Sequence, residues 1–195
     1  IEGPASDDEK AKKKFMKILS EQSTRMESLI NDLLILTRIE LDEHIRPTSI
    51  VNINELFETI ISNFEIVLKK KNITVKNQLT DTSIVIGDEK RLNTVFSNLL
   101  DNSIKYSPEN KNIYISKNEN SNKLLEKNIM ISIKDEGYGI PHEHISRVTE
   151  RFYRVDTEQS NKVGGTGLGL AIVKHIITQP VSYTHLTLPT RAVVW

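Results

Sequence analysis

The sequence predicts an α+β fold in which helices cover one face of a mixed sheet, preceded by one long helix. Three observations carry this. Strand-like and helix-like segments are mixed without the strict β-α-β alternation of a doubly wound sheet. Residues 9–40 hold a single apolar seam, Phe15, Leu19, Gln22, Met26, Leu29, Leu33 and Leu36, at spacings of four and three, the signature of a bundle or coiled coil. The run from Asn128 to Ile133 alternates as a half-buried strand does and then stops at Asp135-Glu136-Gly137-Tyr138-Gly139-Ile140, an acid followed by two glycines.

The totals narrow the function. With 26 basic and 26 acidic side chains in 195 residues, no general electrostatic attraction to nucleic acid or a membrane is implied. The absence of cysteine excludes disulfides, thiolate chemistry and metal–thiolate sites. No apolar stretch reaches the length of a membrane span, and none reads as a signal peptide. The chain begins at Ile1, so its N-terminus is expected to be cut from a longer protein. These 195 residues are expected to be cytoplasmic.

Taken in order, Ile1 to Ser6 read as a loop broken by Gly3 and Pro4, and Asp7 or Asp8 can cap the helix over Glu9–Glu40. A helix this long with one apolar seam needs a partner helix, and an inter-helix bundle is favoured over packing on its own domain alone. Residues 42–52 form a linker, with His44, Arg46 and Pro47 breaking the helix. A second domain spans residues 48–179. It starts with a strand from Thr48 to Ile53, and Asn54 then caps a helix to about Lys71 with Leu56, Phe57, Ile60, Ile61, Phe64 and Leu68 on its apolar face. Strands follow at Ile73–Leu79 and Ser83–Ile86, with Asp81 in the turn between them. Asp88 opens a helix to about Lys105, ended by Ser107-Pro108. Lys111–Ser116 is a strand, Asn118–Lys127 a polar loop, and Asn128–Lys134 the strand into the glycine turn. Pro141 starts a further helical stretch, and Gly164–Leu170 opens a last helix to about Thr178.

The acid and glycines of the turn have a use together. A carboxylate at a strand end can accept a hydrogen bond from an exocyclic amine such as that of adenine. Gly137 and Gly139 let the backbone turn sharply and a flat ring approach, although an ordinary surface turn carries the same D-x-G-x-G string. The Asp88 helix presents Asn98, Asn102 and Lys105 at helical spacing, with Tyr106 beside them, on a face apart from its core residues Leu92, Val95, Phe96 and Leu99. Two amides and an ammonium offer oxygens to Mg²⁺ and a cation to phosphate; a solvated polar face reads the same by spacing alone. Gly164-Gly165-Thr166-Gly167-Leu168-Gly169-Leu170 runs directly into a helix, and free N–H groups there suit phosphate. Asp156–Val163, polar and flanked by breakers, has the character of a lid. A P-loop is excluded because Leu170-Ala171 stands where Lys-Ser/Thr is required, and too little chain follows for a dinucleotide fold. Serine/threonine kinase signatures are missing.

These motifs resemble those of bacterial sensor histidine kinases. Asn98-Leu99-Leu100-Asp101-Asn102-Ser103-Ile104-Lys105-Tyr106 is similar to their N box, Asp135–Ile140 to the G1 box, Arg151-Phe152-Tyr153-Arg154 to the F box, and Gly165–Leu170 to the G2 box. The resemblance implies a Bergerat-type sandwich, with residues 1–41 as part of a dimerisation and histidine-phosphotransfer hairpin, its second helix. Gly3-Pro4-Ala5, the segment Asp42–Pro47 and Thr149-Glu150-Arg151-Phe152 further resemble phosphate-regulon sensors. By position, the resemblance implies that Asn98 and Asn102 hold Mg²⁺, Lys105 meets the phosphates of ATP, Tyr106 stacks near the adenine and Asp135 bonds its amine. Gly137, Gly139 and Ile140 would shape that pocket, Arg151 or Arg154 would reach the phosphates, and Gly165, Thr166, Gly167, Leu168 and Gly169 would form the hinge and phosphate turn. Partners implied are a second copy through the Glu9–Glu40 helix and a response regulator, in a parent anchored in the bacterial inner membrane.

Two departures qualify this. The family's acceptor histidine stands in an H-E/D-x-x-x-P box, and none of His44, His142, His144, His175 and His185 has that context; all five are expected to be surface or structural, and the chain by itself is expected not to autophosphorylate. Residues 180–195, with Pro180 and the string Val181–Thr190, resemble a translated sequencing adapter and are expected to be non-native, leaving the sheet short of closing strands. Two alternatives remain. Gyrase-, Hsp90- and MutL-type ATPases resemble E-x-x-x-N, with a glutamate to activate water where this chain has Asn98. A non-catalytic dimerisation module is the other.

Overall fold

A computed structural model describes residues 9–41, 49–119, 129–155 and 164–178. The predicted linker residues up to Thr48, most of the polar loop, the Asp156–Val163 segment and the residues from Gln179 onward lie outside the described residues, as do His44 and His185.

Helix α1 spans Glu9–Leu41. Its seam divides into two parts. Leu36 and Ile39 are buried against the rest of the chain, with Leu29 and Ile35 packed beside them, whereas Phe15, Leu19, Met26 and Leu33 are exposed. The end of α1 thus packs on its own domain, and the remaining apolar stripe is open.

Strand β1 (Ile50–Asn52) leads into α2 (Ile53–Asn63). The cap is Asn52 rather than Asn54: its side chain accepts from Asn54 N–H at 3.0 Å, in extended backbone suited to a cap. Asn54 instead donates to Asp81 and accepts from Asn77, tying the helix start to two later segments. The predicted single helix to Lys71 is broken at Phe64 (φ −97°, ψ 2°), after which α3 runs over Glu65–Lys71 and ends on left-handed Asn72.

Strand β2 (Thr74–Asn77) and strand β3 (Ile84–Ile86) are shorter than expected and belong to different sheets. β3 pairs antiparallel with β1. Helix α4 (Glu89–Tyr106) is capped by Asp88, which accepts from Lys90 and Arg91 N–H. Strands β4 (Asn112–Glu119) and β5 (Ile129–Asp135) complete, among the described residues, a mixed sheet of order β2-β4-β5, parallel then antiparallel. Short helix α5 (His142–Ile145) follows the glycine turn, and α6 (Gly169–Thr178) closes the described chain.

One layer of helices covers one face of this sheet. Phe57 and Ile60 of α2, Leu99, Leu100 and Ile104 of α4, and Ile172 and Val173 of α6 are all but sealed from solvent, over Ile113 and Ile115 of β4 and Ile133 of β5. The Phe57 and Phe96 rings meet at 4.6 Å. Because side chains alternate along a strand, Ile131, Ile133 and Asp135 share the helix-covered side, and the register sets Asp135 opposite Ile113. The fold therefore carries a carboxylate to the edge of its own core. Among the described residues no helix is long and apolar enough to cross a membrane.

Candidate functional site

A cavity of about 650 Å³ lies where α4, the end of β5 and the two glycine segments meet, within the size range of small-molecule sites. Asn98, Asn102, Lys105 and Tyr106 line it from α4; Asp135, Gly137, Gly139 and Ile140 line it from the turn. Arg154, Gly165, Thr166, Gly167 and Gly169 line the opposite side. Two residues of the predicted set are not brought there. Leu168 is fully buried in the core, and Arg151 reaches instead to Glu40 of α1 at 2.8 Å.

The floor is built around Asp135. Its Oδ1 accepts from Gly137 N–H at 2.8 Å, which curls the turn back on the strand end. Burial raises the carboxyl above the ordinary aspartate range; the Gly137 N–H and the nearby Ser103 hydroxyl pull it part of the way back. Ser103 is buried on α4 and lines the cavity, and its hydroxyl has no partner within hydrogen-bond geometry among the described residues. The Asp135 carboxylate and the Ser103 hydroxyl beside it, at the end of a closed core, are what a bound polar ring edge would meet. Gly137 is required by space: a Cβ there would stand 2.7 Å from Asp135 Oδ1 and 2.8 Å from the Tyr106 carbonyl. These contacts fit the flat base of a nucleotide.

At the other end Asn98 donates its amide N–H to Thr94 O at 2.8 Å, which turns its carbonyl oxygen toward the start of α6. A Cβ on Gly169 would stand 2.6 Å from that oxygen. Asn102 lines the cavity one turn further on, and Lys105 is ion-paired with Asp101. Hard oxygen donors few in number suit Mg²⁺, which keeps several of its waters. Among the described residues there is no cluster of three histidine or acidic side chains of the kind that binds a metal by itself.

The outer wall is made by close backbone contact. Phe152 takes a left-handed φ of 64° and donates its N–H to Gly167 O at 2.9 Å. A Cβ on Gly167 (φ 74°) would stand 2.8 Å from the Phe152 carbonyl carbon. Thr166 accepts from Leu168 N–H and donates to Asp32 of α1 at 2.7 Å, so Asp32 and Ser28 of the long helix also line the cavity. Tyr153 lines it too, its hydroxyl bonded to His144 Nδ1 at 2.6 Å and its ring under the Arg147 guanidinium at 4.3 Å. His144 is thus structural, and His142 is exposed. Ser28 and Asp32 gave no signal in the sequence, because only the docking of α1 brings them near; Ser103 and Tyr153 stand inside strings already singled out.

Residues 87–191 match the family described as histidine kinase-, DNA gyrase B- and HSP90-like ATPases. The chain belongs to that family. Its relatives are sensor histidine kinases. It is 34% identical over 165 residues to the sensor histidine kinase WalK of Bacillus subtilis, covering 84% of this chain and 26% of that protein. It is equally 34% identical over 159 residues to the phosphate regulon sensor protein PhoR of Pseudomonas aeruginosa, covering 82% and 35%. The chain thus spans about a quarter to a third of these relatives' length. Among solved structures, the Acinetobacter baumannii histidine kinase AdeS superposes with a TM-score of 0.63 at 27% identity, over 84% of this chain and 72% of that one. The helix-covered mixed sheet is therefore the Bergerat sandwich of this ATP-binding family.

Proposed function

We propose that the chain is the ATP-binding catalytic region of a two-component sensor histidine kinase. It passes the γ-phosphoryl group of ATP to a histidine on an acceptor hairpin, from which a response regulator receives it. The observation that carries this is the single cavity that gathers Asp135 and the Asn98–Asn102 pair, with an amide where a hydrolase would hold its base.

In this reading Asp135 Oδ2 accepts from the adenine amine while Oδ1 stays with Gly137, and the Ser103 hydroxyl meets the same edge. Tyr106 covers the ring. Asn98 and Asn102 hold Mg²⁺, whose charge offsets that of the phosphates. Arg154 is favoured over Arg151 for the phosphate oxygens, since only Arg154 lines the cavity. The carboxylates that also line it are engaged, Asp101 by Lys105 and Asp32 by Thr166, and Asn98 has no useful basicity. Water is then left without a general base, and the phosphoryl group is kept for a nitrogen nucleophile.

The open stripe Phe15, Leu19, Met26 and Leu33 supports a homodimer through α1. A membrane-anchored parent belongs to the same reading. The Thr149–Phe152 string favours a phosphate-regulon sensor, although overall identity to WalK and PhoR is equal.

The test supplies the chain with ATP, Mg²⁺ and a separate hairpin bearing an H-E/D-x-x-x-P histidine. Acid-labile, base-stable phosphate on the hairpin is expected, lost on Asn102→Ala. Steady ATP hydrolysis abolished by Asn98→Ala, with no phosphohistidine formed, would make the chain an ATPase instead.

A further inference from the structure

Lys71, the last residue of α3, makes an unusual set of contacts outside the cavity. Its ammonium donates to three backbone carbonyls at the end of α4: Ile104 at 2.6 Å, Lys105 at 3.1 Å and Ser107 at 3.0 Å. All three of its N–H donors are thereby used. Carbonyls in the last turn of a helix lack intrahelical partners, and a cation there also meets the negative end of the helix dipole. The ammonium is partly desolvated in doing so, which lowers its pKa against the pull of Glu109.

The neighbouring backbone closes the buckle. Asn110 N–H donates to Lys71 O at 3.0 Å, and the side chains of Asn72 and Asn110, both left-handed, bond each other at 2.6 Å. The stretch held in this way contains Lys105 and Tyr106. The Tyr106 carbonyl backs directly onto Gly137, so its position sets the width of the slot between α4 and the glycine turn. The last bond of α4 itself, Ser107 N–H to Ser103 O at 3.1 Å, leaves the carbonyls of Ile104 and Lys105 to Lys71.

We infer that Lys71 is a positioning residue for the nucleotide: by gripping the carbonyls on either side of Tyr106 it holds Lys105 and Tyr106 against the base-binding turn. This rests on the reading of the cavity as an ATP site. A grip lost from behind lets the slot widen, and displacements well under an ångström are costly in a built site.

The experiment measures binding of a fluorescent ATP analogue, competition by ATP and by GTP, and thermal stability, for the full chain and for Lys71→Met, Lys71→Arg and Ile60→Val. Ile60 is sealed in the core, takes no part in the Lys71 hydrogen bonds and serves as a control for destabilisation. Lys71→Met is expected to weaken ATP about tenfold or more and to bring the ATP and GTP affinities together. Lys71→Arg is expected to restore most of both, and Ile60→Val to change neither. If Lys71→Met does not fold, Lys71→Gln is read by the same criterion. Unchanged ATP affinity and discrimination in the Met or Gln variant, or an equal loss in Ile60→Val, would overturn the inference. Failure of the unsubstituted chain to bind any ATP analogue would sink the ATP reading itself, and this inference with it.

Discussion

The floor of the cavity and its outer wall are held by different means. Asn98, Asn102, Ser103 and Tyr106 stand on an eighteen-residue helix whose other side is sealed core, and Asp135 continues the inward alternation of Ile131 and Ile133. Their positions follow from helix and strand periods, and moving one means moving the core. The wall residues stand on short segments with irregular backbone, fixed by the Phe152–Gly167 contact and by two polar links to α1, Thr166–Asp32 and Arg151–Glu40. The floor is thus a product of packing, and the wall of a few local contacts that can be undone one at a time.

The same substitution placed on each side tests that difference with the largest effect expected. Gly137→Ala puts a methyl group 2.7 Å from Asp135 Oδ1 and 2.8 Å from the Tyr106 carbonyl; the carboxylate can swing aside only by giving up its Gly137 N–H bond, and the carbonyl only by shifting the end of α4. Overpacking of this kind costs about 1–3 kcal/mol, and it fills the space a flat base needs, so nucleotide binding should be lost. Gly167→Ala incurs a clash with the Phe152 backbone and about 1–2 kcal/mol of left-handed strain, but Phe152 stands outside any helix or strand and is tied here by one backbone hydrogen bond. ATP titrations of both variants should show abolished binding in the first and about tenfold weakening in the second. Equal losses would mean that the wall is as rigid as the floor.

Asp135→Asn probes the floor alone with a smaller expected effect. The asparagine can keep Gly137 N–H on its carbonyl but then presents an amide N–H₂ toward the adenine amine, donor against donor. A loss of about 1–3 kcal/mol, or about five- to 150-fold in ATP affinity, is expected. Stability should move the other way. A carboxyl whose folded pKa is raised by burial contributes stability that is present below the ordinary aspartate value and is lost as pH rises through the folded pKa. At neutral pH the ionised Asp135 is therefore a burden on the fold without nucleotide, and the Asn variant should melt higher. The gap should close as pH falls to the ordinary aspartate value. Melting curves at both pH values check it; a lower Tm at neutral pH would show that Asp135 is structural first.

The same division governs what could be read from sequence. Asn98, Asn102, Lys105, Tyr106 and Asp135 were legible as a set through the box motifs in which they stand; periods of 3.6 and 2 place side chains on a face but by themselves read equally as a solvated one. The break at Phe64 was not, since apolar spacing continues through it, and only backbone dihedrals reveal the turn. Nor was the choice of Asn52 over Asn54 as cap: both are asparagines beside the same helix start, and Asn54 is drawn off by Asp81 and Asn77. The sequence said nothing of how β3 pairs: only a turn separates it from β2, yet it lies antiparallel to β1 in another sheet. Ser28 and Asp32 depended on the docking of α1, which no local pattern encodes.

The smallest effect separates two arginines that the sequence left equivalent. Arg151 and Glu40 form an exposed pair, 56% and 46% exposed at 2.8 Å, of a kind worth about 0–1 kcal/mol. Arg151→Ala should therefore shift Tm by about 4 °C or less and leave ATP affinity unchanged, because the wall keeps its Phe152–Gly167 and Thr166–Asp32 contacts. Arg154 lines the cavity, and Arg154→Ala should weaken ATP about three- to tenfold while affecting binding of adenosine, which has no phosphates, hardly at all. If Arg151→Ala weakens ATP as much as Arg154→Ala does, the link to Glu40 is giving way to a phosphate when nucleotide binds. The wall would then be a part that rearranges around its ligand, and the contrast with the floor would be sharper than the structure without ligand suggests.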